Sequence, residues 1–191
     1  MKSKNILLLP LIALALLFGC SNVVTELEPV DHGPIIYDYA PGYIVLYMKR
    51  HVTLDMGYSV IAKYNLPIEG VISCVYGSDV SPDSLSYVED YIKSKSYLDH
   101  QSDIYFTVHL KDSTIFCYPE FLKLDSVIMN DWLLTIKELR LIDILGGGGK
   151  IFAIKTPLGT EQLYIDSLTQ NARVSYGYRL EKWDHLFSNL K

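Results

Sequence analysis

Cysteine is scarce in this chain of 191 residues, at three, and there is no excess of positive charge: 17 Lys and Arg stand against 22 Asp and Glu. Without a basic surplus, counterion release offers little affinity for nucleic acid, and no nucleic-acid partner is expected. Long apolar runs are lacking too. The apolar run that stands out, Ile6 to Phe18, has thirteen residues, short of the roughly 20 that span a bilayer as a helix. Neither a G-x-S-x-G elbow nor an H-E-x-x-H pair occurs, so two familiar routes to hydrolysis have no signature here. Gly146 to Gly149 followed by Lys150 invites a phosphate-loop reading, but Ile144 occupies the first glycine position and Ile151 the Ser/Thr position. The run reads as a flexible connection, or as a close backbone approach that excludes a Cβ.

What is present begins at the N-terminus. Lys2 and Lys4 precede the apolar stretch, and Leu17-Phe18-Gly19-Cys20 closes it. That order is the layout of an export signal. The closing tetrad resembles the lipobox of bacterial lipoproteins. The resemblance implies that signal peptidase II removes residues 1–19 and that Cys20 becomes the lipidated N-terminus, with membrane attachment through the lipid. Each buried CH₂ then adds about 0.8 kcal/mol, so several chains hold firmly where one would not. Ser21, in place of the Asp tied to inner-membrane retention, implies the outer membrane. The absence of an acidic run behind Cys20 implies its periplasmic face. The mature chain of 172 residues would carry a net charge of −7, which favours solubility and disfavours lying flat on anionic lipid.

Residues 20–42, with Pro29, Pro34 and Pro41-Gly42, read as a lipidated N-terminus and tether. An edge strand over 35–39 is the alternative. Residues 43–191 are one domain's worth of chain. Their patterning predicts an α+β fold, mainly antiparallel sheet, with two or three helices. Alternation in Ile104, Phe106, Val108 and Leu110 predicts a strand. A turn at Asp112-Ser113 would set Leu110 opposite Ile115 and Val108 opposite Cys117, a register that keeps one face apolar. A second hairpin is expected over 150–166, with Phe152 and Ile154 facing Ile165 and Leu163 across Thr156–Thr160. Further strands are expected at 43–49, 57–63, 71–76 and 173–179. Ser81-Pro82-Asp83 predicts the start of a helix burying Leu85, Val88 and Ile92. Leu180, Trp183, Phe187 and Leu190 predict another. The stretch 127–145 reads either as a helix capped at Asn130-Asp131 or as a buried strand.

No metal spacing links His32, His51, His100, His109 and His185, and no cofactor or metal is called for. The acids Glu89, Asp90, Asp99 and Asp103 have no spacing that sets them apart from a solvated helix face. Cys74 and Cys117 both fall in apolar patterns. A disulfide between them is permitted outside the cytosol, and two separate buried thiols are the other reading. The compositional oddity is tyrosine, fifteen of 191. Tyr43 and Tyr47 share strand parity, as do Tyr176 and Tyr178, and Tyr87 and Tyr91 stand i, i+4 on the first expected helix. Tyrosine joins apolar area to a polar tip and loses little entropy when fixed, which suits interfaces and sugar faces. These six are the candidate binding surface, against the plainer reading that aromatics favour half-buried strands.

Together these features lead to a non-enzymatic outer-membrane lipoprotein that binds a protein or glycan of the envelope. An immunity or inhibitor lipoprotein against a periplasmic toxin is one alternative. A periplasmic hydrolase with converging Asp and His residues is the other.

Overall fold

The computed structural model describes residues 39–100, 108–144 and 149–181. They form two four-stranded antiparallel sheets and four α-helices. The chain is therefore α+β, as its patterning predicts, although helix and strand contribute about equally and the helices outnumber the expected two or three.

Strands β1 (Tyr39–Met48), β2 (Ile68–Ile72), β7 (Ile151–Lys155) and β8 (Val174–Glu181) form the first sheet, in the order β2-β7-β1-β8. All its neighbours are antiparallel. Helix α1 (Leu54–Ala62) joins β1 to β2, and α4 (Glu161–Thr169) joins β7 to β8. Each β-α-β unit thus leaves a gap that a strand of the other unit fills. Two interlocked split β-α-β units give the β-α-β-β-α-β arrangement called ferredoxin-like.

The second sheet, β4-β5-β3-β6, is inserted between β2 and β7. It comprises β3 (Tyr76–Ser78), β4 (Val108–Lys111), β5 (Thr114–Cys117) and β6 (Leu141–Asp143), together with α2 (Leu85–Lys93) and α3 (Ser126–Glu138). One apolar core serves both sheets. Ile44, Leu46 and Phe152 of the first share it with Tyr76, Ile115 and Trp132 of the second. Backbone bonds between Val71 and Phe121 and from Leu124 to Ile68 stitch the insertion to β2.

The hairpin at Asp112-Ser113 forms in the expected register, with Leu110 opposite Ile115 and Val108 opposite Cys117. Both turn residues have positive φ, 51° and 63°, the primed turn whose twist matches paired strands. Ile104 and Phe106 of the expected strand lie outside the described residues.

Several elements differ from expectation, each for a local reason. The stretch expected as a strand at 57–63 is helix α1. Its buried residues, Leu54, Gly57, Val60 and Ile61, follow a helical stripe. A Cβ on Gly57 would come within 2.7 Å of the Phe152 ring, so glycine lets this helix lie close against the sheet. The expected hairpin over 150–166 is a strand and then a helix. Pro157 O does accept from Thr160 N at 3.1 Å, but the turn feeds α4, which buries Ile165 and Leu168 and leaves Leu163 63% exposed. Phe152 pairs with Leu46 and Val71, and Ile154 with Ile44 and Ile68.

The expected strand at 71–76 is split between the two sheets, with Ser73 at φ 62° marking the break. Residues 127–145 hold both alternatives, α3 and then β6. The cap of α3 is Asp125 rather than Asn130-Asp131: its carboxylate accepts from Val127 N and Ile128 N, both at 2.9 Å. Ser81-Pro82-Asp83 opens a single 3₁₀ turn that leads into α2, and Val88 and Ile92 are buried as expected.

Strand β1 starts at Tyr39, ahead of the expected boundary at residue 43, and lies inside the sheet rather than at its edge. Pro41 is tolerated there because the register shifts between Tyr39 and Ile44, a bulge that needs no ladder donor. Gly42 (φ 81°) sits in it and donates its N–H to the buried Glu161 carboxylate at 2.6 Å. Leu180 belongs to β8, not to a terminal helix, and Trp183, Phe187 and Leu190 lie outside the described residues.

Candidate functional site

Strand parity divides the first sheet into two faces. Ile44, Leu46 and Met48 point into the shared core. Tyr43, Val45 and Tyr47 point the other way, with Ile72, Ile151, Ala153, Tyr178 and Leu180. Among the described residues, no helix contributes to this second cluster.

The pairing of β1 with β8 sets Tyr47 directly opposite Tyr176 and Val45 opposite Tyr178. The rings of Tyr47 and Tyr176 stack at 4.3 Å with 15° between their planes. Tyr178 completes a triad, 6.0 Å from Tyr47 and 6.4 Å from Tyr176. Tyr176 is 49% exposed. Loss of hydration and a hydrogen bond with the Tyr47 hydroxyl raise its phenol above the ordinary range, so its tip stays neutral at physiological pH and offers a hydroxyl donor and acceptor. Tyr43 shares the face and carries the Lys155 ammonium 6.0 Å from its ring centre.

Four of the six candidate tyrosines therefore gather on one face. Tyr87 and Tyr91 do not join them. They lie on α2 with rings 6.0 Å apart, and Tyr91 packs against the main core with the Lys95 ammonium 4.9 Å from its centroid.

Cys74 and Cys117 are free and buried. Burial pushes both thiols up to about 12, which keeps them protonated and unreactive. His109 stacks on Phe116 and Tyr118, and the His100 ring is hydrogen-bonded to Lys95 O. His32, His185 and Asp103 lie outside the described residues. Glu89 pairs with Lys93 on α2. Among the described residues, no group of three or more His, Cys, Asp or Glu is placed to hold a metal ion.

Two polar features went unseen in the sequence. Lys150, the lysine behind the glycine run, is 3% exposed and ion-paired to Asp143 at 2.8 Å. It also donates to Val52 O at 3.2 Å. The signal for burial was available, since Lys150 opens the apolar strand Ile151–Ile154, but its partner was not. The other is Glu120, placed next to the buried Asp99 by the backbone bond from Asp99 N to Glu120 O. Burial and the Asp99 charge push the Glu120 carboxyl up to about 7.

A carboxyl raised on folding makes the folded state bind protons more tightly than the unfolded one, so stability falls as pH rises from the ordinary carboxyl range through about 7. Glu120→Gln should therefore melt higher than the parent at about pH 8, by about 1 kcal/mol after discounting for solvent screening, and match it near about pH 4. Melting curves of both proteins at the two pH values check this. A variant less stable at the higher pH would contradict it.

Comparison of the chain with protein-family models, curated proteins and solved structures finds no match.

Proposed function

We propose that this chain is a non-enzymatic lipoprotein of the bacterial outer membrane, held by Cys20 on the periplasmic side, that binds a protein or glycan of the envelope through Tyr47, Tyr176 and Tyr178. The observation that carries the binding reading is the stacked Tyr47–Tyr176 pair with Tyr178 beside it, on a face to which no described helix contributes. Rings fixed against one another lose little further entropy on contact, and their hydroxyls supply hydrogen bonds at the edge of an apolar surface. The lipobox-like tetrad Leu17-Phe18-Gly19-Cys20 supports the anchor.

The test is photo-crosslinking in cells from a reactive residue placed at position 176, with products identified by mass spectrometry. One dominant envelope component is expected, captured only when Cys20 is intact. Tyr47→Ala should reduce capture about thirtyfold, about 2 kcal/mol, as for a central aromatic contact. Equal capture by Tyr47→Ala or by a Cys20→Ala control would remove the support for this reading.

A further inference from the structure

A cavity of about 240 Å³ lies on another part of the molecule, between the start of α1, one side of α3 and strand β6. Its walls are apolar: Leu54, Met129, Leu133, Ile136 and Leu141. Thr53 and Asp55 stand at the start of α1, and two further polar residues line it. One is Asp143, whose carboxylate is fixed by the buried Lys150 ammonium at 2.8 and 2.9 Å. The other is Tyr76, 1% exposed. Its hydroxyl accepts from Trp132 Nε1 at 3.2 Å, and its own proton has no acceptor among the described residues.

A buried hydroxyl with an unused proton is costly. Here Tyr76 and Asp143 line the same cavity. We infer that this cavity is a binding site for a small neutral molecule with an apolar body and one group that both accepts and donates a hydrogen bond, such as an aromatic amide or alcohol. The acceptor would take the Tyr76 proton, and the donor would meet Asp143. The apolar body would lie against Met129, Leu133 and Ile136.

Size and charge narrow the class. The volume is below the roughly 300–1,000 Å³ of sites for drug-sized ligands, which excludes nucleotides and oligosaccharides. An anion would meet Asp143 and, at the rim, the exposed Asp55. A cation gains little from Asp143, whose charge Lys150 already balances. The site is separate from the tyrosine face and stands or falls independently of it.

The test uses the full chain, carbon-13 labelled at Met, Leu and Ile methyls, titrated with benzamide, ethylbenzene and benzoate. Benzamide should shift the Met129, Leu133 and Ile136 signals. Ethylbenzene should bind about tenfold more weakly for want of hydrogen bonds, and benzoate should leave the signals in place. Tyr76→Phe should weaken benzamide about threefold, part of the way to ethylbenzene, because the bond to Asp143 is kept. Because that variant also leaves Trp132 Nε1 unpaired, Leu133→Trp at the half-exposed rim is the second probe: it should abolish binding of both neutral ligands without touching the core. Equal affinity for benzamide and ethylbenzene would reduce the site to an apolar gap. Shifts located elsewhere, or none at all, would overturn it.

Discussion

Replacing Lys150 by alanine should destabilise the protein by about 3–5 kcal/mol, the cost of leaving one member of a buried ion pair alone. Lys150 links three places in the chain: Asp143 at the end of β6, Val52 ahead of α1, and its own position just before β7. Without the ammonium, the Asp143 carboxylate loses its counter-charge and Val52 O a donor. Chemical denaturation should show the loss as a lower midpoint with little change in slope. The double variant Lys150→Met with Asp143→Leu should recover most of the stability, since apolar replacement of a whole buried pair is often neutral or better. Lys93→Ala is the control. Its pair with Glu89 is solvent-exposed and should contribute less than about 1 kcal/mol. If Lys150→Ala costs no more than Lys93→Ala, the buried-pair account fails.

The second large effect is expected one residue earlier. A Cβ built on Gly149 would lie 1.7 Å from Met48 O, a backbone atom at the end of β1 that no rotamer change can move aside. The adjacent bond, Met48 N to Lys150 O at 2.9 Å, pins the two segments together. Gly149→Ala must therefore push β1 and β7 apart at one end, at a cost of about 3 kcal/mol, the upper part of the range for overpacking. Gly159→Ala separates crowding from backbone strain. Gly159 has φ 81° with nothing near its absent Cβ, so it should lose only about 1–2 kcal/mol. Equal losses in the two variants would mean that the close approach at Gly149 is not what limits the site.

Both results bear on how the glycine run was read. The sequence excluded a phosphate loop on two positions and left a close approach as one explanation. At Gly149 that explanation holds, while Gly146 to Gly148 lie outside the described residues. The Asp112-Ser113 hairpin was legible because its strands, turn and register all sit within ten residues. The stretch 57–63 was expected as a strand because Val60 and Ile61 fit a strand or a helix equally over so short a window. What decides for the helix is Gly57 against Phe152, a contact across nearly a hundred positions. The turn at Pro157 was recognised, but a type I turn opens a helix as readily as it closes a hairpin.

The tyrosine face was legible only by halves. Parity placed Tyr43 with Tyr47 and Tyr176 with Tyr178. The register that stacks Tyr47 on Tyr176 is a long-range pairing with no trace in either strand alone. Spacing of i, i+4 on an expected helix gave Tyr87 and Tyr91 equal standing, and only the packing of α2 separates them.

The inserted sheet also sets an order of events. β1 pairs with β7 across more than a hundred positions, Tyr43 with Lys155 and Tyr47 with Ile151. Every residue of the insertion must therefore be made before the central pair of the first sheet can close. Until then β1 and β2 are two apolar ribbons with no partner between them, since each pairs with β7 rather than with the other. Non-local pairing of this kind is slow, and unpaired strands are sites of aggregation while they wait. A chain emerging from its N-terminus would expose Ile44-Val45-Leu46 for most of its own synthesis. The demand this architecture makes on a cell is therefore kinetic: a holding chaperone or a dilute compartment for the first third of the chain.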